Sequence, residues 1–193
     1  QQDNYIIGEI INNTILKPGN IDVIRIYDES YELLSPPEIY PCNIQNVISA
    51  IQKNHNFDLF IYGTHGTQTH ANDIIGLDDL DSISGSTQKI ILGITCSNAY
   101  PENNTNLAYM QLIKNAISVI GATRESWYSL SKNFKSSFNG SIALNLSKYL
   151  LKYNFSVGNA LYQTKEDLKP INPNTWMNTL TYNLYGDPDT TLY

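Results

Sequence analysis

The sequence predicts an α/β protein built on an open, mostly parallel sheet with helices on both faces. Short apolar runs rich in β-branched residues alternate with segments whose apolar residues recur every three or four positions. Because parallel strands need long crossovers, usually helices, this alternation is typical of a parallel sheet. No internal repeat or linker divides the chain, so we expect a single domain over residues 1–193.

The elements follow from these patterns in chain order. Strands are expected at the strand-like segment 5–8 and at 21–27, 58–63, 89–95, 117–123 and, ending in a turn, 181–188. Helices are expected from Asn43 through Ile51, from Leu107 through Ile113, over 131–150, and from Ser156 toward Leu168. Between two of the strands, residues 67–88 are polar and rich in Gly and Asp, which favours a loop.

Composition excludes several functional classes. The net charge of −6 argues against nucleic acid as a partner. No apolar run reaches the length of about 18 residues that a membrane-spanning helix needs. Two cysteines, Cys42 and Cys96, are too few for a disulfide framework, although a bridge between them would disable Cys96 as a nucleophile.

Two of the predicted strands each deliver one reactive residue at the carboxyl end. The first run ends in Gly63-Thr64-His65-Gly66, and the second ends in Ile94-Thr95-Cys96. Open parallel sheets place their ligands at this edge. If the two strands are neighbours, His65 and Cys96 form a cysteine nucleophile with its base.

The residues around this pair fit the same chemistry. A thiol attacks as its thiolate, and His65 is suited to take that proton and return it to a leaving amine. Gly66 allows a backbone N–H to approach a developing oxyanion, with the N–H of Cys96 as the second donor. The alternative is structural, with Cys96 a small core residue and His65 a hydrogen-bonded loop residue.

The sequence around His65 also has features of a serine protease and of a metal site. Thr64-His65-Gly66-Thr67 is similar to the histidine segment of subtilisin-like serine proteases, but the Gly-Thr-Ser nucleophile segment of those enzymes is missing. A metal site formed by His65, His70 and Asp73 has suitable ligand types, but its spacing matches no known ligand motif.

Four segments in order resemble the gingipain family of caspase-like cysteine peptidases. They are Phe60-Ile61-Tyr62-Gly63-Thr64-His65-Gly66, Gly93-Ile94-Thr95-Cys96-Ser97-Asn98-Ala99, residues 119–128 and Tyr182-Asn183-Leu184-Tyr185-Gly186-Asp187-Pro188. The resemblance covers roughly residues 57 to 190. It implies a caspase-like fold and a cysteine endopeptidase that works through an acyl-enzyme, with Cys96 as nucleophile, His65 as acid and base, and Gly66 and Cys96 in the oxyanion hole.

The resemblance also suggests roles for residues outside the dyad. Trp127 matches an aromatic wall of the primary specificity pocket, and Glu9 is the candidate for the acidic residue that orients the histidine. Cleavage after a basic residue would need an acidic group in the pocket, for which Asp22 and Asp28 are candidates. The chemistry needs no cofactor. Bound calcium is a further expectation. Its candidate ligands are the acidic residues of one loop, Asp73, Asp78, Asp79 and Asp81.

Partners and location follow from the same comparison. We expect a peptide or protein substrate, no nucleic acid and no membrane span. The chain resembles only the catalytic subdomain of gingipains, so a missing subdomain or pro-segment is expected as a partner. The family leans to secreted or cell-surface proteins, in agreement with five Asn-x-Ser/Thr sequons. The alternative function is a catalytically silent, caspase-like domain that binds a peptide without cutting it.

Overall fold

A four-stranded sheet forms the centre of the molecule. The computed structural model describes residues 2–27, 38–39, 41–54, 56–83, 87–114, 116–127, 138–168 and 176–193. The strands are β1 (Asn56–Gly63), β2 (His70–Ala71), β3 (Ile75–Gly76), β4 (Thr87–Ile94), β5 (Ala116–Ala122) and β6 (Tyr182–Gly186). The sheet has the order β1-β4-β5-β6, in which the first three strands are parallel and β6 is antiparallel to β5. The expected mostly parallel α/β sheet is confirmed.

Helices connect these strands and cover the sheet. They are α1 (Gln2–Ile11), α2 (Ile44–Lys53), α3 (Leu107–Lys114), α4 (Asn139–Ser147), α5 (Val157–Asp167) and α6 (Trp176–Thr181). The prediction that Asn43 opens a helix is confirmed, because its side-chain oxygen caps α2 by accepting a hydrogen bond from Asn46 N at 2.9 Å. None of the described helices is both long and apolar enough to cross a membrane.

The two faces of the sheet pack against different helices. Ile90, Leu92 and Ile94 of β4 lie in one core cluster with residues from α4 and α5 and from the end of α1. Ile91, between them, lies in a second cluster with residues from α2 and α3. Since side chains alternate across a strand, both faces of β4 are buried, as the continuous apolar run predicted.

Two predicted strands are wrong. Residues 5–8 belong to α1, because Tyr5, Glu9 and Asn12 are buried together at helical spacing. Residues 21–27 do not join the central sheet, and they form only an isolated bridge, from Ile26 to Ile39. The β-branched residues suggested a strand, but the backbone of this segment is hydrogen-bonded to Ile39 and Cys42 instead.

The other predicted strands and helices agree with the structure in type and differ in extent, whereas the predicted loop over 67–88 contains regular structure and α6 was not predicted. The predicted helix over 131–150 is helical from Asn139 and ends in a π-helical turn, Lys148–Lys152, while residues 131–137 lie outside the described part. The polar segment 67–88 contains the β2–β3 hairpin and a 3₁₀ helix, Leu77–Ile83, whose Leu80 and Ile83 are buried. These two apolar residues anchor the segment to the core.

Candidate active site

The register between β1 and β4 determines where the two reactive residues leave the sheet. Tyr62 pairs with Gly93 and Gly63 with Ile94, and Thr64 N still donates to Ile94 O at 3.4 Å. His65 follows Gly63 by two residues, as Cys96 follows Ile94, so the two residues leave neighbouring parallel strands at the same level. The condition that these strands be neighbours is therefore met.

The loop that carries His65 is held by the segment that follows it. Asn72 N donates to His65 O at 2.9 Å, and Thr67 N donates to His70 O at 2.8 Å. Gly66 forms a bridge with Ala71 in the same place. The loop backbone is thus fixed, while the His65 side chain is exposed at the carboxyl edge of the sheet.

Gly66 packs too closely for a side chain. A Cβ atom at this position would lie 2.2 Å from Thr95 Oγ1 and 2.7 Å from His70 O. Thr95 immediately precedes Cys96, so Gly66 brings the backbone after His65 directly against the side chain next to the nucleophile. This close approach is the reason for glycine here.

The chain turns sharply after Cys96. Ser97 has a φ of 52°, in the left-handed region that non-glycine residues rarely adopt, and its N–H donates to Arg124 O at 3.0 Å. The Cys96 side chain is half-buried and its sulfur contacts Ser126. Cys96 is not in a disulfide, so a bridge to Cys42 does not block the nucleophile.

Asn98 ties three strands together beneath this turn. Its Oδ1 accepts from Ala122 N at 2.8 Å and its Nδ2 donates to the Tyr62 hydroxyl at 3.2 Å, with Asn98 fully buried. Burial raises the pKa of Tyr62 to about 12, against the opposing effect of its hydrogen bonds with Asn98 and Gln111. The phenol is therefore a neutral, structural group that fixes β1 to β4 and β5 just before the site.

Trp127 lies next to the residue that contacts the sulfur. Its backbone N–H donates to Asn178 Oδ1 at 2.8 Å, and its carbonyl accepts from Asn178 Nδ2 at 2.9 Å. Its side chain is 55% exposed. An aromatic side chain that is exposed while its backbone is held on both sides is suited to contact a ligand, as the predicted wall of the pocket requires.

The acidic candidates lie in different surroundings. Glu9 is 2% exposed, and its Oε1 is 2.6 Å from Arg25 Nη1 and 3.1 Å from the Tyr27 hydroxyl. Burial, with the Glu9 carboxylate beside it, raises the pKa of Tyr27. Glu9 thus belongs to a buried ionic cluster with Arg25, and its suggested role of orienting His65 stays a prediction.

Asp22 is exposed and lines a cavity of about 950 Å³ that extends to Thr64, the residue before His65. Asp28 lies outside the described residues.

The four aspartates proposed as calcium ligands do not form a common site. Asp79 Oδ2 accepts from Gly76 N at 2.7 Å, and Asp81 pairs with Lys114 at 2.7 Å. Asp73 lines the cavity instead. Across the described residues, no group of three or more His, Cys, Asp or Glu is placed to hold a metal ion. Asp79 and Asp81 are thus turned to separate partners, and calcium binding at this loop stays a prediction.

The sequons do not test the predicted location. Asn12 and Asn139 are 1% and 0% exposed, so these two could not carry a glycan in the folded chain. A secreted or cell-surface protein stays a prediction.

Sequence reasoning missed the buried polar residues behind the nucleophile: Asn98, Ser126, Asn139 and Asn178. Asn98 and Ser126 each stand in a segment that resembles the family, and this was the available signal for them. Asn178 lies 51 residues from the backbone it holds, and no local pattern indicates such a contact.

Comparison with known proteins places this arrangement in a class. A solved structure described as "Structure of Protease" matches with a TM-score of 0.52 at 16% identity, over 75% of this chain and 37% of its own. At this identity the match shows the fold alone, and this chain spans just over a third of that protein's length. No curated protein matches the chain. The class is therefore an α/β protein with a mostly parallel central sheet, consistent with a caspase-like fold, and its fold is similar to that of a protease.

The family follows from a second comparison. The model of Peptidase family C25 matches residues 2–193, nearly the whole chain. The chain belongs to Peptidase family C25, the gingipain family of cysteine peptidases in the caspase-like clan. The resemblance drawn from the four sequence segments is confirmed.

Proposed function

We propose that this chain is the catalytic domain of a cysteine endopeptidase, with Cys96 as nucleophile and His65 as acid and base. The observation that carries the proposal is the register of β1 and β4, which delivers these two residues at the same level of the carboxyl edge. Membership of a cysteine peptidase family supports the reaction class. The silent peptide-binding domain is the less favoured alternative, because no described feature points to it.

The reaction proceeds in two displacements. His65 takes the proton of the Cys96 thiol, and the thiolate attacks the carbonyl carbon of the scissile peptide bond. His65 then gives that proton to the amine as the carbon–nitrogen bond breaks, which leaves a thioester on Cys96. Water, losing a proton to His65, attacks the thioester, and the carboxylic acid leaves as the thiol is restored.

The oxyanion of each tetrahedral intermediate needs hydrogen-bond donors. The backbone N–H groups of Gly66 and Cys96 are the donors in this proposal. The close packing of Gly66 on Thr95 supports it, because this packing keeps the two backbone segments together. Donors held in position before the reaction stabilise the transition state most, since nothing must rearrange when charge develops.

The substrate is proposed to be an extended peptide whose residue before the scissile bond lies against Trp127. A basic residue there would be paired by Asp22, whose position on the cavity that reaches Thr64 supports the assignment. Replacing Asp22 with Asn should then reduce kcat/KM for an arginyl peptide relative to a leucyl one. Asp78→Asn is the matched control, because Asp78 is exposed and is not among the residues lining that cavity.

Hydrolysis of fluorogenic peptides ending in Arg, Lys, Asp, Asn or Leu tests the proposal. We expect cleavage by the wild type, none by Cys96→Ala, and a rate lowered about 10²- to 10⁴-fold in His65→Ala, as loss of a general base predicts. Ser147→Ala is the control, since it changes a fully buried residue that is not among those lining the cavity and should keep full activity.

Iodoacetamide labelling distinguishes the ways in which hydrolysis can fail. Fast labelling of Cys96 without hydrolysis would support the dyad. It would overturn the idea that this chain cleaves peptides by itself, without a further segment such as the expected missing subdomain. Slow and equal labelling of Cys42 and Cys96 would overturn the dyad and leave the silent binding domain.

A further inference from the structure

The sulfur of Cys96 contacts three atoms of a single residue, Ser126. Its Sγ lies 3.4 Å from Ser126 O, 3.5 Å from Ser126 N and 3.7 Å from Ser126 Oγ. The thiol can donate to the carbonyl oxygen, whereas the thiolate can accept from the backbone N–H and from the hydroxyl. Ser126 is 7% exposed, so its polar groups are largely shielded from bulk water. Its two donors thus meet the charged form of the nucleophile.

The hydrogen of the Ser126 hydroxyl has a defined direction. Asn139 Nδ2 donates to Ser126 Oγ at 2.9 Å, so the hydroxyl acts as acceptor on that side. A serine hydroxyl has one hydrogen. With Asn139 as the donor, that hydrogen is left for Cys96 Sγ.

The orientation of the Asn139 amide is fixed in turn by a backbone group. Trp127 N–H, which can only donate, is bonded to Asn178 Oδ1 and so identifies the oxygen of that amide. Asn178 Nδ2 then donates to Asn139 Oδ1 at 3.2 Å, and the Tyr182 hydroxyl donates to the same oxygen at 2.9 Å. Asn139 must therefore present its nitrogen to Ser126, and no amide in the series can be reversed without losing a buried hydrogen bond.

We propose that Ser126 stabilises the Cys96 thiolate with its N–H and hydroxyl, and that Asn139 and Asn178 are positioning residues that aim this hydroxyl. The proposal rests on the proposed function, since it concerns the same nucleophile. Asn178 also holds both backbone polar groups of Trp127, so the nucleophile and the proposed pocket wall share one buried support. Hydrogen bonds to a charged acceptor are among the strongest in proteins, so this series favours ionisation of the thiol.

The pH dependence of Cys96 alkylation tests the proposal without any need for hydrolysis. In this reaction the thiolate sulfur displaces iodide from iodoacetamide, forming a sulfur–carbon bond as the carbon–iodine bond breaks. In Ser126→Ala we expect the midpoint of the profile of alkylation rate against pH to rise by about one pH unit. At a pH below the midpoints of both the wild type and the variant, the variant should react roughly tenfold more slowly. Mass spectrometry reports Cys96 and Cys42 separately, so Cys42 is an internal standard.

A matched variant separates this effect from the general loss of a buried hydroxyl. Ser147 is fully buried, and its hydroxyl has no hydrogen-bond partner within the described part of the chain. Ser147→Ala should leave the midpoint for Cys96 unchanged. Asn139→Ala should raise the Cys96 midpoint in the wild-type background but add nothing in the Ser126→Ala background, since Asn139 acts through the Ser126 hydroxyl. Unchanged midpoints in Ser126→Ala, or additive shifts in the double variant, would overturn the proposal.

A second measurement applies if Ser126→Ala does not fold. His65→Ala removes the imidazole but leaves every contact of Ser126 with the sulfur. In this background, Asn139→Ala should still raise the midpoint of the Cys96 pH–rate profile, because Asn139 aims the Ser126 hydroxyl whether or not the imidazole is present. An unchanged midpoint in this double variant would refute the role of Ser126, whatever the wild type does to peptides. Failure of the proposed peptidase appears separately, as an absence of hydrolysis.

Discussion

Replacing Gly66 with alanine tests whether the backbone after His65 must lie directly against Thr95. The added Cβ would lie 2.2 Å from Thr95 Oγ1, which is 1.2 Å inside the 3.4 Å where ordinary contact begins, and 2.7 Å from His70 O. Thr95 is fully buried and His70 O belongs to the backbone, so neither can yield freely. The Gly66 backbone must therefore move by roughly an ångström.

A displacement of this size removes the Gly66 N–H from its proposed place at the oxyanion. Losing one such donor costs about 10²- to 10³-fold in kcat, and a misplacement of about 1 Å costs about 10²-fold, so we expect kcat to fall about a hundredfold. The assay is steady-state hydrolysis of the best fluorogenic peptide, with thermal unfolding to show that the variant is folded.

Gly158→Ala is the matched control, because its Cβ would lie 2.8 Å from Pro188 Cβ at the start of α5, in contact with the turn after β6. It should lower Tm and leave kcat unchanged. A folded Gly66→Ala variant with the kcat of the wild type would refute the assigned donor.

Further predictions concern the support of the site and its ligands. Asn98→Ala removes hydrogen bonds to Tyr62 and Ala122 at a fully buried position, so the free energy of unfolding should fall by about 2 kcal/mol, seen as a Tm lower by about 4–8 °C. Tyr62 has a pKa of about 12 in the folded chain and about 10 when unfolded, so its contribution is complete below pH 10 and is lost as the pH rises toward 12. As the pH rises between these values, the free energy of unfolding measured in urea should fall by about 3 kcal/mol more for the wild type than for Tyr62→Phe. Equal falls would contradict the burial of the phenol. Trp127→Ala should raise KM with a smaller change in kcat, since its side chain is proposed to bind the substrate; an unchanged KM would remove it from the pocket. Chelation of calcium should leave Tm unchanged, because no group of three or more His, Cys, Asp or Glu is placed to hold a metal ion among the described residues, and a clear fall in Tm would show that the folded chain binds calcium.

The sequence predicted the sheet, and the placement of His65 and Cys96 after two of its strands, because both depend on short, continuous patterns. The apolar runs of β4 and β5 are buried and that of β1 is mostly half-buried, and β1 and β4 end where the Gly-Thr-His-Gly and Thr-Cys segments lie. The strand β6 and the capped α2 were also readable from local residues, but the antiparallel direction of β6 was not.

The failures have physical causes. Residues 5–8 are apolar and β-branched, yet burial of Glu9 and Asn12 in register with Tyr5 requires a helix, and such polar burial leaves no apolar pattern. The aspartates could not be assigned from composition, because the partner of each depends on tertiary structure: Lys114 for Asp81 and a backbone amide for Asp79. Contacts across many residues, such as Asn178 to Trp127, are invisible in a single sequence.

The two members of the proposed dyad follow strands that differ in how easily they open. Cys96 follows β4, which lies between β1 and β5 and is buried from Ile90 onward. His65 follows β1, which ends the order of strands in the described sheet and is mostly half-buried. Amide hydrogens of β4 are expected to exchange with solvent only on global unfolding, and those of β1 through smaller openings. In mild denaturant, the base should therefore separate from the nucleophile while the rest of the sheet remains intact.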